Sequence, residues 1–378
     1  MILVFRRKAA WLVAGAAALF VAGWAPPVDA HAGNADGSRP FVTGVEPALA
    51  GIGATAVFAG SWQISLSVTS PQDVSVLDDG NRAFVRIGRG GVDGDYGAPA
   101  WYTSAIAPDA SGAVRLPSGV GPASPPDWRP VSRARAWAWF DPRISAGSGA
   151  VSPEMVARAV PARLRDFDIP LLVGDTPAHV KGYLEFEPPR GRYVHRLLSP
   201  TRPAPGVEIG LLAGQAVPTV TVRNDSPDPV TVLGADGEPF LRVGTTVEAN
   251  LASPAWMQVG RALGRTPKAV ADATAQPQWE AISEGHRLSW ADFRSRPPDA
   301  EPPVSTGHAV EVRRWTIPLR IGAQPAEIKG ATTFEPFRPP SRKPGVNGLA
   351  AAAAGLFGAA VAVTAWAFVR RRGSRSLQ

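Results

Sequence analysis

The sequence contains no cysteine, and this absence excludes several kinds of site at once. The chain has no disulfide, no thiolate metal ligand and no cysteine nucleophile. Each folded unit must therefore be held together by its hydrophobic core alone. A unit of about 140 residues can do this, since it buries roughly two-thirds of the surface that its unfolded chain exposes.

The short motifs of common catalytic sites are also missing. The sequence has no GxSxG nucleophile elbow, no HExxH zinc motif and no P-loop. Its five histidines do not occupy matching positions in the two copies of the repeat described below. These observations favour a non-catalytic protein without a cofactor, and an enzyme with an unfamiliar site is the alternative.

Charge is scarce in the central part of the sequence. The whole chain has a formal net charge of +7, but the arginines of residues 370–378 supply four of these charges and residues 1–30 supply a net two. The rest of the chain has a net charge of only +1. Because a nucleic-acid partner requires a basic footprint, no nucleic-acid partner is predicted.

Residues 1–30 have the plan of a secretory signal peptide. A basic start at residues 6–8 is followed by an apolar stretch and by the cleavage-site pattern Val28-Asp29-Ala30. The sequence therefore predicts cleavage after Ala30, which makes His31 the first residue of the mature chain. An uncleaved N-terminal anchor is the alternative interpretation.

The C-terminal region predicts a membrane anchor. Residues 348–369 are 22 uncharged residues, and a helix of this length spans about 33 Å, which matches the hydrocarbon core of a bilayer. A stalk at 339–347 precedes this transmembrane helix, and the basic tail at 370–378 is cytoplasmic by the positive-inside rule. The bulk of the chain is thus predicted to be extracytoplasmic, with the lipid bilayer as one partner; a buried core helix is the alternative.

The sequence contains an internal repeat. The stretch Arg165–Arg190 recurs 148 positions later as Arg313–Arg338, and Lys181-Gly182 returns as Lys329-Gly330. Upstream, offsets of 156, 155 and 153 align further residues, including Trp101 with Trp256, Trp137 with Trp290, and Arg143 with Arg296. A repeat unit of this size indicates duplication of a domain and not a solenoid.

The repeated unit is predicted to be a β-sandwich. Short runs such as Ile64–Val68 alternate apolar and polar residues and are separated by Pro and Gly turns. We therefore predict an all-β fold of two tandem homologous Ig-like sandwiches, at 41–190 and 204–338, joined by a linker at 191–203. Helix signals are few: residues 153–165 favour one short helix, and residues 257–275 form a loop or a frayed helix.

The tryptophans and arginines shared by the two copies are candidate ligand or framework residues. Repeated tryptophans stack on ligands in some proteins, but more often they anchor a core. Repeated arginines can hold an anionic ligand, although an outward-facing strand arginine is the commoner role. The candidates are Trp101 and Trp256, Trp137 and Trp290, and Arg86 and Arg242.

His31 suggests a different chemistry. A mature N-terminal histidine can bind copper through its amine and its imidazole, with a second imidazole completing the site. None of the other four histidines lies at ligand spacing from another histidine. Copper is therefore an alternative cofactor, which depends on cleavage after Ala30.

The second copy carries a distinctive Trp-rich pattern. Its parts are Trp279-Glu280, Glu284-Gly285, Trp290–Arg294 and Arg314–Leu319, together with Val232–Gly244 and the C-terminal span. This pattern resembles an uncharacterised family of membrane-anchored extracytoplasmic proteins of high-GC Gram-positive bacteria. Members of that family tend to have histidines in the Trp-containing motif where this chain has Ala291 and Phe293. The resemblance therefore implies the location and the anchor, but no activity.

Together these features predict a non-catalytic, single-pass cell-envelope protein. It displays two extracytoplasmic domains that bind or scaffold an unknown envelope protein or ligand. A copper-handling envelope protein that uses His31 is the alternative.

Overall fold

The computed structural model of this chain describes residues 37–59, 61–106, 114–147, 150–212, 217–263, 265–298 and 307–337. The predicted signal peptide, His31, the transmembrane helix and the cytoplasmic tail all lie outside these residues. Within them, no helix has the length and apolar character needed to cross a membrane.

The first half of the described chain consists of ten strands and two short helices. A 3-10 turn at Pro142–Ile144 follows the eighth strand. The strands are β1 (Ser38–Glu46), β2 (Ile52–Phe58), β3 (Trp62–Val68), β4 (Val74–Leu77), β5 (Ala83–Gly88), β6 (Gly91–Asp95), β7 (Trp128–Ser132), β8 (Ala136–Trp139), β9 (Ala162–Val173) and β10 (Thr176–Phe186), and the helices are α1 (Pro99–Thr103) and α2 (Pro153–Arg158).

The second half has ten more strands and one helix. A 3-10 turn at Phe293–Ser295 again follows the eighth of these strands. The strands are β11 (Gly191–Leu197), β12 (Val207–Leu212), β13 (Thr219–Asn224), β14 (Val230–Leu233), β15 (Pro239–Val243), β16 (Thr246–Asn250), β17 (Trp279–Glu284), β18 (Arg287–Ala291), β19 (Val310–Ile321) and β20 (Gln324–Pro336), and the helix is α3 (Pro254–Ala262).

The two halves have the same sheet topology. In the first half a seven-stranded sheet has the order β1-β10-β9-β4-β5-β6-β7, and a three-stranded sheet has the order β2-β3-β8. In the second half the orders are β11-β20-β19-β14-β15-β16-β17 and β12-β13-β18. The pairings within all four sheets are antiparallel, so the predicted all-β, sandwich-like architecture is confirmed.

Alternation along the strands places each core between its large and its small sheet. In β3, Ile64 and Leu66 are fully buried, whereas Ser65 and Ser67 face away from the core. The second half repeats this arrangement with Val220 and Val222 of β13. Period-two burial is what a strand with one core-facing side produces, and it agrees with the alternation read from the sequence.

The structure differs from the sequence interpretation at residues 191–197. This segment, assigned to the linker, forms β11 and pairs with β20 from Gly191 opposite Pro336 to Leu197 opposite Gly330. The first half begins in the same way, with Ser38 of β1 opposite Phe186 of β10. Tyr193 and His195 of β11 are buried, so this strand belongs to the sheet of the second half.

The predicted helix at 153–165 is also shorter than expected. Ser152 caps α2 by accepting a hydrogen bond from the Met155 N–H, as the sequence suggests. The helix ends at Arg158, because Ala159 adopts a left-handed conformation with φ of 50°. β9 begins three residues later, at Ala162.

Two repeated glycines are required by close packing between paired strands. Gly182 lies opposite Phe167, and Gly330 lies opposite Trp315. In each case a Cβ on the glycine would overlap the aromatic ring of the opposing residue. The glycine of the Lys-Gly pair therefore recurs in the repeat because a buried ring lies directly over the backbone at that position.

Candidate binding cleft between the two halves

A cleft of about 500 Å³ lies where the two halves meet. One wall is the outer face of the sheet β2-β3-β8, where small side chains such as Ser65, Ala136 and Ala138 leave open space. The other wall comes from the second half, through Met257 of α3 and Phe293 of the 3-10 turn. Both halves therefore contribute to a single concave site.

Backbone and side-chain hydrogen bonds hold the halves together around this cleft. The Ala271 N–H donates to the Val131 carbonyl at 2.8 Å, and the Ala271 carbonyl accepts from the Arg133 N–H at 2.9 Å. On the edge of the cleft, Arg296 Nη1 donates to the Phe58 carbonyl at 3.2 Å. The two Ala271 bonds fix the segment that follows α3 against the end of β7 in the first half.

Tyr96 adds another contact between the halves. Its hydroxyl donates to the Pro267 carbonyl at 3.1 Å, and its ring lies 5.4 Å from that of Trp101. Burial raises the pKa of Tyr96 to about 12, so the hydroxyl keeps its proton at neutral pH. The contact is thus a neutral hydrogen bond from the first half to the second.

Arg261 of α3 crosses from the second half into an aromatic pair of the first. Its guanidinium carbon lies 4.3 Å from the ring centroid of Trp101 and 4.5 Å from that of Trp137. These two indoles stack at 5.7 Å with an interplanar angle of 19°. Arg261 Nη2 also donates to the Trp101 carbonyl at 3.3 Å and to Ser104 Oγ at 3.4 Å.

This guanidinium is a buried cation, since Arg261 is only 7% exposed. Burial lowers its pKa from the usual 12.5 to about 9, because the protein interior solvates a charge poorly. It therefore still carries its positive charge at neutral pH. Within the part of the chain that the structure describes, no carboxylate forms an ion pair with Arg261.

The charged residues that line the cleft are all basic. Arg294, Arg296 and Arg313 line it together with Arg261, and no Asp or Glu among the described residues does so. Arg294 is neutralised by Asp292, to which its Nε and Nη2 donate at 2.8 and 2.7 Å. The cation of Arg261, which forms no ion pair with a described carboxylate, therefore favours a negatively charged ligand in this cleft.

Trp137 also lines the cleft, and its indole N–H has no hydrogen-bond partner among the described residues. Trp137 is only 7% exposed. A buried indole N–H normally has an acceptor. The described lining also contains no histidine or carboxylate that could act as a general base.

The structure brings one of the two candidate tryptophan pairs to equivalent places and corrects the other. Trp101 and Trp256 both follow Pro-Ala at the start of a helix and are buried. In the small sheets, however, Ile64 lies opposite Trp139 and its counterpart Val220 lies opposite Trp290. Trp290 therefore corresponds to Trp139.

The correction changes the neighbours as well. Trp137 lies opposite Leu66, and Leu288 occupies the matching position of β18 opposite Val222. The alignment of Trp137 with Trp290 is thus two residues out of register. The stacked pair of tryptophans that contacts Arg261 lies in the first half. The second half does not repeat this pair, because a leucine occupies the position of the second tryptophan.

The corrected register reveals a repeated Trp-Asp-Arg motif. Trp139 Nε1 donates to Asp141 at 2.9 Å, and Trp290 Nε1 donates to Asp292 at 3.0 Å. The same carboxylates hold Arg143 and Arg294 through paired hydrogen bonds. Arg143 therefore corresponds to Arg294 and not to Arg296.

The motif also ties each 3-10 turn to the large sheet. Asp292 accepts from the Arg294 N–H and so caps its turn, and Arg294 Nη1 donates to the Leu233 carbonyl at 2.9 Å. Arg143 makes the matching bond to the Leu77 carbonyl at 3.0 Å. The motif joins β8 to β4 and β18 to β14, which is a framework role.

Arg86 and Arg242 also have a framework role. The guanidinium carbon of Arg86 lies 4.2 Å from the ring centroid of Trp128, and that of Arg242 lies 4.4 Å from that of Trp279. Arg242 forms an ion pair with Glu248 of the neighbouring strand as well. Neither arginine lines the cleft.

We expect Arg242→Ala to lower the free energy of unfolding by about 1 kcal/mol, because it removes both the stacking on Trp279 and the ion pair. Chemical denaturation of the full chain would measure this. Arg320→Ala is the control: Arg320 is exposed on the same sheet, and its replacement should cost less than about 0.5 kcal/mol. Equal effects of the two changes would show that Arg242 does not anchor Trp279.

The candidate copper ligand is not among the residues that the structure describes. His31 lies outside the described residues, and within them no group of three His, Asp or Glu side chains is arranged to hold a metal ion. Copper binding through His31 stays a prediction.

No protein-family model, curated protein or solved structure matches this chain. The resemblance to the envelope-protein family therefore stays a prediction as well.

Proposed function

We propose that this protein is a single-pass, membrane-anchored binding or scaffolding module of the cell envelope. In this proposal two tandem homologous β-sandwich domains of the Ig-like class stand on the extracytoplasmic side, and the cleft between them is the ligand site. The observation that carries the proposal is that both halves build one cleft, with Arg261 of the second half seated on Trp101 and Trp137 of the first.

The matched architecture supports tandem duplication. The strand order of each sheet recurs with every strand advanced by ten. The Trp-Asp-Arg motif recurs with the same hydrogen bonds. Two departures from this symmetry involve the cleft: α3 is longer than α1, and Trp137 corresponds to Leu288. Divergence at a shared cleft is what a gained binding site would produce after duplication.

Site-specific photo-crosslinking in cells tests the binding role. A photoreactive residue in place of Gln63, which lines the cleft, is expected to give an adduct of one defined mass. The matched control is Gln324, at the exposed turn between β19 and β20, which should give no such adduct. Identical adducts from the two positions, or none from Gln63, would refute the cleft as the ligand site.

The predicted location has its own test. Protease added to intact protoplasts should remove the two β-rich halves and leave a membrane-bound fragment that contains residues 370–378. Full protection of both halves until the membrane is lysed would place them in the cytosol and overturn the envelope assignment.

A fluorogenic hydrolase panel tests the non-catalytic role. Turnover that a single side-chain replacement abolishes would overturn that role.

A further inference from the structure

The hydrogen bonds that Arg261 makes leave most of its donors unused. A guanidinium has five N–H groups, and the bonds from Arg261 to the first half both come from Nη2, at 3.3 and 3.4 Å. Its Nε and Nη1 groups make no hydrogen bond to any described residue. These donors form the planar fork with which arginine binds carboxylates and phosphates.

Arg261 is also in an environment that penalises an unpaired charge. A buried cation normally has a carboxylate partner. The reason is that an unpaired charge in the interior costs several times more free energy than an unpaired charge on the surface. The indole rings of Trp101 and Trp137 compensate part of that cost through their negative faces. The end of α3 contributes a further part, because Arg261 lies in its last turn. Neither contact supplies a counter-charge.

Two other residues of the lining carry donors. The indole N–H of Trp137 is buried and has no acceptor among the described residues. Arg313 also lines the cleft, and the one hydrogen bond it makes there goes to the Arg296 carbonyl at 3.1 Å. The donors of Arg261 that make no hydrogen bond and the remaining donors of Arg313 therefore belong to residues that line this space, and a ligand rich in acceptor oxygens would satisfy them.

The remaining lining is apolar. Phe58, Phe140 and Phe293 line the cleft together with Trp137 and Met257. A volume of about 500 Å³ falls in the range of small-molecule sites. The cleft is thus suited to a compact molecule with one anionic end and an apolar or aromatic body.

From these contacts we infer that the cleft binds a small organic anion, a carboxylate or a phosphate monoester with an apolar body, and that Arg261 pairs with its oxyanion. This inference rests on the proposed function, in which the cleft is the ligand site. The phenylalanines of the lining would pack on the apolar body. A free metabolite and a cell-wall or lipid fragment would both carry this chemistry.

Simple probes test the charge requirement on the full-length chain in detergent. Benzoate and phenyl phosphate are the anionic probes, and benzamide is the neutral analogue of benzoate. Tryptophan fluorescence is the readout, since Trp137 lines the cleft. We expect saturable binding of at least one anion, at least tenfold tighter than that of benzamide. Binding of benzamide as tight as that of the tighter-binding anion, or no binding of either anion, would overturn the inference.

Matched variants test the role of Arg261. Arg261→Met keeps the length of the side chain and should weaken binding of the anion at least tenfold. Arg265→Met is the control, because Arg265 lies just beyond α3 and does not line this cleft; its affinity should stay within twofold of wild type. If Arg261→Met does not fold, Arg261→Lys replaces it: the charge remains but the fork is lost, and binding should weaken several-fold. Unchanged affinity in a folded Arg261 variant would show that this cation only joins the two halves.

The outcomes separate this inference from the proposed function. An adduct at Gln63 without preference for anions would keep the cleft as the ligand site and reject the ligand class. Absence of both the adduct and probe binding would reject the proposed site and the inference together. Sodium chloride at the ionic strength of the probe controls for general salt effects.

Discussion

Asp292→Ala is expected to lower the free energy of unfolding by about 3–5 kcal/mol, one of the largest effects of a single replacement in this chain. The carboxylate is 5% exposed and accepts from the Trp290 indole, from the Arg294 guanidinium and from the backbone N–H that starts the 3-10 turn. Alanine leaves all of these donors without this acceptor. It also leaves the Arg294 guanidinium, which is 23% exposed, without its carboxylate partner. Urea denaturation followed by tryptophan fluorescence measures the loss.

Two further variants check this explanation. Asp141→Ala removes the same contacts in the first half and should have a similar cost. Asp225→Ala is the exposed control: this carboxylate pairs with Arg223 at the surface, and its loss should cost less than about 1 kcal/mol. A loss at Asp292 no greater than at Asp225 would mean that the Trp-Asp-Arg motif does not fasten the turn to the sheet.

The internal repeat and the period-two alternation predicted most of the architecture. Residues such as Ile64 and Leu66 alternate with serines because one face of β3 is buried, and this constraint is local enough to be visible in a short window. The Lys-Gly pair that aligns the two copies also has a local cause, since a ring lies over each glycine. Features of this kind depend on a few neighbouring residues and therefore survive in both copies.

The register of the tryptophans could not be read from the sequence in the same way. The first half has tryptophan at both 137 and 139, so Trp290 can be aligned with either. Matches at Phe140 and Phe293 favour the wrong choice. The pairing of β8 with β3 decides the matter, because it fixes which indole reaches the capping aspartate. The informative signal was the Trp-x-Asp-x-Arg spacing common to both halves.

The cleft was the least predictable feature. Arg261 has no counterpart in the shorter α1, and its partners Trp101 and Trp137 lie more than 120 residues away in the other half. A contact between two units leaves no periodic pattern in either of them. Arg86 and Arg242 are candidates because they recur in both copies of the repeat. Residues that recur in both copies are those that hold the shared framework together. The residue that suggests a ligand is one that breaks the repeat.

Gly330→Ala should destabilise the second half strongly, by about 3 kcal/mol. The new Cβ would overlap the ring of Trp315, which is 4% exposed and packed in the core. Because a ring held on all sides cannot move away, the strand pair β19-β20 must separate or the indole must leave its position, and overpacking of this kind typically costs 1–3 kcal/mol and occasionally more. Thermal unfolding followed by circular dichroism would show the change as a lower midpoint.

Gly90→Ala is the matched control for this replacement. Gly90 has no heavy atom within 4 Å of an added Cβ, so alanine there should be neutral or should stabilise by up to about 1 kcal/mol, through the lower entropy of the unfolded chain. The contrast separates steric overlap from the general effect of removing a glycine. If both variants unfold at the wild-type midpoint, the indole of Trp315 does not lie against the backbone of residue 330, and the explanation for the repeated Lys-Gly pair fails with it.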